Sequence, residues 1–247
     1  RVLRELVSGK LQVVIGTHAL LSERVQCQRL ALAVIDEQHR FGLAQRTRLL
    51  EKGRDVHVLL MTATPIPRTL EMAITGIREM SIIATPPVDR LAVRTYVAPW
   101  DPVMVREALL REKYRGGQTF FVCPRVSDLD RITAALGDLV PEVKVAAAHG
   151  RMGARDLEST MTKFYDGAFD VLVSTNIIES GLDLPSVNTI VIHRANMFGL
   201  AQLYQIRGRV GRSKTRAYAY LTTKPRAKLT ATAEKRLRVL GSLDTLG

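Results

Sequence analysis

The chain is organised around two stretches, Ser174-Thr-Asn-Ile-Ile-Glu-Ser-Gly-Leu-Asp-Leu-Pro185 and Gln205-Ile-Arg-Gly-Arg-Val-Gly-Arg212. The first predicts a buried strand that ends in polar residues, followed by a turn able to contact phosphate. The second places three arginines within eight residues and separates them with two glycines, which lets the backbone approach a ligand closely. Because arginine grips phosphate through paired hydrogen bonds, the cluster is typical of a phosphoryl-transfer site. A solvated surface loop is the alternative for the arginines taken alone.

An acidic pair closes an apolar run far upstream of these arginines. Leu32–Ile35 is followed by Asp36 and Glu37, and His39 comes two residues later. In nucleotide hydrolysis, one carboxylate at the end of a strand holds Mg²⁺ and the next polarises the attacking water. Asp36 therefore fits the metal role, Glu37 fits the water role, and His39 is a candidate sensor of the terminal phosphate. The alternative, which an Asp-Glu pair alone leaves open, is a solvated strand end.

Further polar side chains follow other predicted strands. Thr62 and Thr64 can hydrogen-bond a carboxylate or a water beside the acidic pair, although an ordinary Thr-Pro turn is the alternative. Thr17, at a predicted strand-to-helix junction, and Arg151, after a later strand, suit contacts with phosphate. The sequence contains no Gly-x-x-x-x-Gly-Lys-[Ser/Thr] phosphate loop, since Gly9-Lys10 lacks the upstream glycine.

The composition favours a polyanionic partner and argues against a membrane protein. The formal net charge is +12 and the sequence pI is about 10.1, which most simply indicates nucleic acid. No apolar run approaches the roughly 20 residues that span a bilayer, and from the opening residues we expect no signal peptide. Two distant cysteines and five dispersed histidines argue against a zinc site or a disulfide framework and fit a reducing cytosol. The absence of an initiator Met suggests a fragment or a processed product.

The alternation of apolar runs with amphipathic stretches predicts an α/β fold with parallel sheets covered by helices. Thr85-Pro-Pro-Val-Asp-Arg90 is the best linker candidate, because two prolines cannot continue a helix or a central strand. We therefore expect two α/β units joined near residues 85–98. The predicted strands cover residues 12–16, 32–35, 56–61, 81–84, 95–98, 118–123, 144–148, 171–174, 189–193 and 217–221. The predicted helices cover the N-terminus and residues 43–52, 67–75, 101–115, 127–139, 154–165, 201–206 and, as a basic amphipathic helix, 225–240.

Four of these segments resemble motifs of the superfamily-2 helicases. Asp36-Glu-Gln-His39, Thr62-Ala-Thr64, residues 174–183 and the arginines of residues 205–212 resemble motifs II, III, V and VI. Residues 64–69 and 198–203 are similar to the branch that contains RecG and the transcription-repair coupling factors. Residues 74–87, 90–94 and 105–112 resemble the coupling factors specifically, whereas Gln38 is the residue that RecG has at that position. The resemblance covers essentially the whole chain.

The resemblance implies two RecA-like parallel-sheet domains of the P-loop NTPase type, with ATP and Mg²⁺ bound between them. The first domain, residues 1–90, would be truncated at its N-terminus and lack the phosphate loop. The second would cover residues 91–224, and residues 225–247 would begin a translocation hairpin. Asp36 would then be the Mg²⁺ ligand and Glu37 the catalytic carboxylate. Arg209 and Arg212 would reach across as arginine fingers, with Gln205 nearby.

The same resemblance assigns further residues to the cofactor and to DNA. His39, Gly181 and Asp183 would belong to the nucleotide cleft. On the first helix of the hairpin, Arg236 is the residue to test first, and a solvated basic helix is the alternative there. The residues expected near DNA phosphates or on the coupling path are Thr17, Thr62, Thr64, Arg151, Thr175, Asn176 and Arg236.

Members of the coupling-factor branch use ATP to move along double-stranded DNA in the cytoplasm. They displace stalled RNA polymerase and recruit excision-repair proteins, through modules that would lie outside this chain. We expect little ATPase activity from the chain alone, because the phosphate loop that would bind the β- and γ-phosphates of ATP is absent from it. The alternatives are a fork-remodelling translocase of the RecG type and a fragment that binds DNA without hydrolysis.

Overall fold

The computed structural model describes residues 2–36, 47–48, 52–53, 55–62, 79–83, 91–175, 184–226 and 228–242. The chain divides into two compact units, Arg1–Ile82 and Ile83–Gly247, and each is described by itself. The domain boundaries expected after residues 90 and 224 stay predictions.

The first unit contains a short parallel sheet. Helix α1 covers Val2–Val7, and a 3₁₀ helix covers His18–Leu21. Strands β1 (Leu32–Ile35) and β2 (His57–Leu60) pair in parallel, so that Ile35 lies beside Leu60. The predicted strand at 32–35 is confirmed, and the one at 56–61 is confirmed with one residue fewer at each end.

Two other predictions for this unit are wrong or lie outside the described residues. Residues 12–16 form no strand, and neither do residues 81–83. Val13 and Ile15 are 77% and 93% exposed, so the apolar run that predicted a strand has no neighbouring strand to support its hydrogen bonds within the described chain. The predicted helix at 43–52 is described only at residues 47, 48 and 52, and the one at 67–75 lies wholly outside the described residues.

The second unit alternates strands and helices along its length, as the sequence pattern predicts. Its strands are β3 (Arg94–Pro99), β4 (Gln118–Val122), β5 (Val145–Ala148), β6 (Val171–Ser174), β7 (Val187–Ile192) and β8 (Tyr218–Thr223). Its helices are α2 (Pro102–Tyr114), α3 (Leu129–Leu139), α4 (Ala154–Tyr165), α5 (Leu200–Arg207) and α6 (Ala231–Ser242). Except for α6, every boundary falls within two residues of its prediction. Helix α6 begins six residues late, because the hydroxyl of Thr230 caps it by accepting from the Ala233 amide at 3.2 Å.

All neighbouring strands of this unit pair in parallel, in the order β3-β8-β7-β4-β6-β5. Together with the parallel pair of the first unit, this arrangement confirms the predicted α/β fold class. Parallel strands need crossover connections, and the helices between these strands supply them.

The sheet is covered on both faces. Phe120 and Phe121 are consecutive in β4, so their rings enter opposite cores, and both are at most 1% exposed. Phe120 packs in the core that α4, α5 and α6 cover, which includes Phe164, Leu203 and Leu237. Phe121 packs in the core beneath α2 and α3. The near-continuous apolar strands are therefore buried on both sides, as expected of parallel sheets.

A buried carboxylate fastens α2 to the sheet. Glu112 is fully buried, and its Oε2 accepts a hydrogen bond from Arg115 Nε at 3.0 Å and another from the Thr189 hydroxyl of β7. Arg115 also donates to the carbonyl of Arg216 at 2.8 Å. Because a buried carboxylate is tolerated only when it is paired, Glu112 fixes where α2 lies on the sheet.

The two thiols should differ in reactivity. Cys123 is fully buried, and burial raises the pKa of its thiol to about 12, whereas Cys27 of the first unit is only half-buried. A rise of three pKa units removes about 99.9% of the reactive thiolate. We expect an aromatic disulfide reagent to modify one thiol per folded chain and both in denaturant. A Cys27→Ser variant should give no fast reaction, and rapid modification of Cys123 in that folded variant would contradict the buried position.

Candidate functional site at the strand ends and the arginine loop

The carboxyl ends of the six parallel strands lie at one edge of the second unit's sheet. Strand β4 continues into α3 on one face, whereas β7 continues towards α5 on the other. A crevice between two strands whose connections leave to opposite faces is where open α/β sheets bind ligands. The topology therefore directs attention to the residues that follow β4, β5, β6 and β7.

Two predicted phosphate contacts lie side by side at this edge. Strands β5 and β6 are paired, with Ala148 beside Ser174, so the turn that carries Arg151 adjoins Thr175. The Arg151 amide donates to Nδ1 of His149 at 3.2 Å, which shapes the turn and leaves the Arg151 side chain exposed. The structure thus places an exposed arginine and the half-buried Thr175 after neighbouring strands at one edge of the sheet, where both suit contacts with phosphate.

The predicted arginine fingers lie on the segment that follows α5. We call residues 208–214 the arginine loop. Gln205 is half-buried on α5, Arg209 is 8% exposed, and the side chain of Arg212 is exposed. The structure therefore places all three predicted residues within one helix end and its loop, with Arg212 presented to solvent and Arg209 packed into the unit.

Gly211 is required for packing within the unit. Its φ is +77°, and a Cβ atom there would lie 3.0 Å from Cγ2 of Val93 and 3.2 Å from Cβ of Ala217. Gly208 has an ordinary φ of −67°. The expectation that both glycines serve a ligand's approach is therefore wrong for Gly211, whose open side is filled by the protein itself.

Arg207 is also a part of the interior. It is the last residue of α5 and is 1% exposed, and its Nη2 donates to the carbonyl oxygen of Val93 at 3.4 Å. Its guanidinium carbon lies 5.9 Å from the centre of the Tyr204 ring. The expectation that Arg207 belongs with the phosphate-binding arginines is therefore wrong, because a side chain that is 1% exposed cannot contact an external phosphate.

A buried histidine closes β7 next to this edge. His193 is 8% exposed, and its ring centre lies 5.1 Å from that of Trp100 and 6.2 Å from that of Phe121. Burial, helped by the nearby cations of Arg194 and Arg131, lowers the pKa of His193 to about 4. The ring is therefore neutral at pH 7, and it packs as an aromatic side chain.

The next residue, Arg194, has a left-handed backbone with φ of 51°. A non-glycine residue in this region costs about 1–2 kcal/mol, and such residues concentrate at functional sites. The sequence pattern gave no sign of either residue, since a histidine and an arginine at the end of an apolar strand look like ordinary solvated positions.

Two of the predicted residues in the first unit also lie together. Asp36 directly follows β1 and is exposed, while Thr62 lies two residues beyond β2. The Met61 amide donates to the carbonyl of Ile35 at 2.8 Å, which continues the parallel pairing up to the strand ends. An exposed carboxylate and a half-buried hydroxyl thus share one edge of the sheet.

The structural setting predicted for Thr17 is wrong. No strand precedes it, and its Oγ1 accepts from the Ala19 amide at 3.4 Å as the cap of a four-residue 3₁₀ helix. The predicted strand-to-helix junction is therefore absent, whereas the expected contact of Thr17 with DNA stays a prediction.

Helix α6 packs onto the second unit. Ala233, Leu237 and Leu240 are buried in the core beside β3. Arg236 donates from Nη2 to the carbonyl of Asn196 at 3.3 Å, in the turn that follows β7. The alternative of a wholly solvated basic helix is therefore wrong, while the proposed part of Arg236 in translocation stays a prediction.

Six of the predicted site residues lie outside the described residues. They are Glu37, His39, Thr64, Asn176, Gly181 and Asp183. Among the residues that the structure does describe, no group of three or more His, Cys, Asp or Glu side chains could hold a metal ion. None of the helices in the described ranges is long and apolar enough to cross a membrane.

Comparison with protein families identifies the two units. Residues 1–73 match the DEAD/DEAH box helicase model, and residues 102–214 match the model of the helicase conserved C-terminal domain. Transcription-repair-coupling factors match nearly the whole chain, with 50% identity over 98% of it for Rickettsia prowazekii (strain Madrid E) and 49% over 100% of it for Escherichia coli (strain K12). The two units are therefore the two domains of a helicase, and the chain is similar to transcription-repair-coupling factors over nearly its whole length. It spans 22% of the length of each of these two relatives.

Solved structures agree with this assignment. A structure of RecG bound to a three-way DNA junction is 39% identical, with a TM-score of 0.78, and the match covers 98% of this chain and 32% of that one. Dbp5 of S. cerevisiae, bound to RNA and ADP BeF3, is 18% identical with a TM-score of 0.63 over 91% of this chain and 61% of its own, which shows a shared fold alone. The two units are therefore RecA-like parallel-sheet domains, as predicted.

The buried His193 should make the second unit less stable in mild acid. Its pKa is about 4 in the folded chain and near 6.5 when unfolded, so the unfolded state binds more protons between these values. The free energy of unfolding should fall by roughly 3 kcal/mol as the pH drops from 6.5 to 4. Trp100, the only tryptophan, lies against His193 and reports the transition by fluorescence during denaturant titration.

The His193→Gln variant should lose most of this slope, and His18→Gln, at an exposed histidine of the first unit, should keep it. The carboxylates that titrate below pH 5 contribute equally to wild type and variants, so the difference between the curves isolates His193. Parallel curves for wild type and His193→Gln would contradict the assignment.

Proposed function

We propose that the chain is the motor of an ATP-dependent double-stranded DNA translocase of the transcription-repair-coupling factor type. In the full-length protein this motor would displace stalled RNA polymerase at lesions and promote nucleotide excision repair. The observation that supports the proposal most strongly is the 48–50% identity to coupling factors across essentially the whole chain, which includes the arginine loop and the acidic strand end.

The chain's residues fit ATP and Mg²⁺ in part. Asp36 offers an exposed carboxylate at the end of a parallel strand, which is a suitable oxygen ligand for a hard cation. Mg²⁺ held there would supply positive charge that offsets the charge of the phosphates. Glu37 would orient the attacking water, and His39, Gly181 and Asp183 would contribute to the nucleotide cleft.

The arginine loop would contribute positive charge to that cleft. Arg209 and Arg212 would stabilise the charge that develops on the transferred phosphoryl group, and Gln205 lies one helical turn before Arg209. Arg212 has the exposed side chain that such a role requires, and Arg209 lies three residues before it. The packing of the loop against the unit would hold both residues in a fixed position.

Double-stranded DNA is the proposed track. The net charge of +12 favours a polyanion, and the strand-end turns of Arg151 and Thr175 offer phosphate contacts at the carboxyl edge of the sheet. Further contacts would come from Thr62, Thr64, Asn176 and Arg236. RNA polymerase and excision-repair proteins would be partners of the full-length protein through segments beyond this chain.

A fork-remodelling translocase of the RecG type is the second candidate. It is favoured by the 39% identity and the TM-score of 0.78 with a RecG structure. Displacement of stalled polymerase and reversal of model forks, assayed side by side on the full-length protein, separate the two candidates. Fork reversal without displacement would replace the first proposal with the second.

The motor role is tested by DNA-stimulated ATP hydrolysis of the full-length protein. We expect Glu37→Gln and Arg209→Ala each to lower kcat by about 1,000-fold or more, because a water-orienting carboxylate and an arginine finger contribute on that scale. Arg155→Ala, at an exposed arginine of α4, should leave kcat unchanged. Since Arg209 is buried, Arg209→Lys and a thermal unfolding curve accompany it to detect misfolding. Variants as active as wild type would refute the assignment of both residues.

The DNA role is tested by the salt dependence of binding to a duplex. Arg151→Ala should weaken binding and reduce the slope of log K against log salt concentration by about 0.9, as expected for the loss of one phosphate contact. Arg106→Ala is the matched control, because Arg106 already pairs with Glu142. An unchanged slope for Arg151→Ala would remove Arg151 from the DNA interface.

A further inference from the structure

Val93 lies where the chain enters the sheet of the second unit. It directly precedes β3, and it is fully buried, whereas Leu91 two residues earlier is 39% exposed. The boundary between the units lies ten residues before it, between Ile82 and Ile83. Val93 is therefore a fixed point at the end of the segment that joins the two units.

Arg207 holds this point from the end of α5. Its Nη2 donates to the Val93 carbonyl at 3.4 Å, and the side chain is 1% exposed. The amide of Arg94, which belongs to the same peptide group, donates to the Ala217 carbonyl at 3.0 Å. Both polar atoms of this peptide group are therefore hydrogen-bonded. A guanidinium remains charged at any physiological pH, so the donor that faces the Val93 carbonyl is retained throughout that range.

Gly211, in the arginine loop, also packs against Val93. The space where its Cβ would lie is bounded by Cγ2 of Val93 at 3.0 Å, Cβ of Ala217 at 3.2 Å and the Leu91 carbonyl at 3.9 Å. Arg207 and Gly211 lie two residues before and two residues after Arg209. Both therefore pack against Val93, Arg207 with its side chain and Gly211 with its backbone. This double contact leaves the loop little room to move independently of Val93.

The far end of the loop is fixed to a strand. Ser213 donates from Oγ to Oδ1 of Asn188 at 2.7 Å, and Asn188 is a 4% exposed residue of β7. The Thr215 amide donates to Ser213 Oγ at 3.2 Å. The arginine loop is therefore held at Ser213 by strand β7 and at Gly211 by Val93, which directly precedes β3.

We propose that Arg207 is a positioning residue that couples the segment joining the two units to the arginine loop. A change in the path of the chain at Val93 would move the end of α5 and Gly211 together. Arg209 lies two residues from each of them, which is at most about 7 Å along the chain, so its guanidinium would be displaced directly. Arg207 acts through Val93 and Gly211 and needs no contact with nucleotide.

This inference rests on the proposed motor function only for its consequence in catalysis. The contact itself belongs to the second unit and can be tested without ATP. Lysine cannot reproduce it, because a single ammonium group lacks the planar fork that reaches a carbonyl while the stem stays packed. Methionine fills similar volume without a donor, and replacing a buried charge by an apolar side chain of similar volume is often neutral for stability.

The experiment compares Arg207→Met and Arg207→Lys with wild type and with Leu203→Ala. Leu203 is a 1% exposed residue of α5 in the same core, so its truncation loosens the helix without removing a hydrogen bond to Val93. Hydrogen exchange is followed in peptides that cover residues 91–94 and 208–214, together with thermal unfolding. In the full-length protein, kcat and KM for ATP are measured with saturating duplex DNA.

We expect exchange in both peptides to rise at least about tenfold in Arg207→Met while the melting temperature stays close to that of wild type. In Leu203→Ala, exchange should rise only in proportion to its loss of global stability. We also expect kcat to fall about 10- to 100-fold at unchanged KM, as for a small displacement of a catalytic group. Arg207→Lys should behave as Arg207→Met.

Unchanged exchange in residues 91–94 of a folded Arg207→Met variant would overturn the proposal, whatever the activity. A wild-type kcat in Arg207→Met, measured against an active wild type, would overturn it as well. An inactive wild-type protein would instead count against the motor function, and the exchange measurement would then still decide whether Arg207 fastens the loop to Val93.

Discussion

Parallel pairing of the strands is the constraint on which the rest of the second unit depends. It sends every strand's carboxyl end to one edge, so that Arg151, Thr175 and His193 follow neighbouring or nearby strands at the same side of the sheet. It also requires helical crossovers, and these bury both faces of strands such as β4, whose Phe120 and Phe121 enter separate cores. The polar edge and the two apolar faces are thus consequences of one hydrogen-bonding pattern.

Burial of polar groups then determines which arginines can act outside the unit. Arg207 is committed to the interior by its contact with the Val93 carbonyl, and Arg115 is held by Glu112. Arg212 and Arg151 remain exposed and can reach phosphate. A guanidinium placed in the interior needs fixed partners, whereas one at the surface needs only a supported backbone. The same residue type is therefore buried at position 207 and exposed as a candidate phosphate ligand at position 212, five residues later.

Much of this molecule follows from local sequence signals. The strands at 32–35 and 171–174 and the helix at 154–165 match their predictions to the residue, because each is a clear apolar run or an amphipathic helix pattern. The strand expected at 12–16 does not form, although a short apolar run rich in Val and Ile is typical of strands. A strand needs a partner for its backbone groups, and local pattern carries no information about whether a partner lies alongside. The late start of α6 has a local cause, the Thr230 cap, which the basic character of the segment obscured.

By itself, the sequence determined the α/β class, the parallel sheets, the acidic strand end and the arginine cluster. These features depend on residue order and hydrophobic period, which are local properties. Only the tertiary structure decided that Arg207 is buried against the Val93 carbonyl, that Gly211 packs on Val93, that Thr17 caps a short helix and that His193 is a neutral core residue beside Trp100. Each of these outcomes depends on a residue distant in sequence that removes water or supplies a partner, and such partners are chosen when the chain packs.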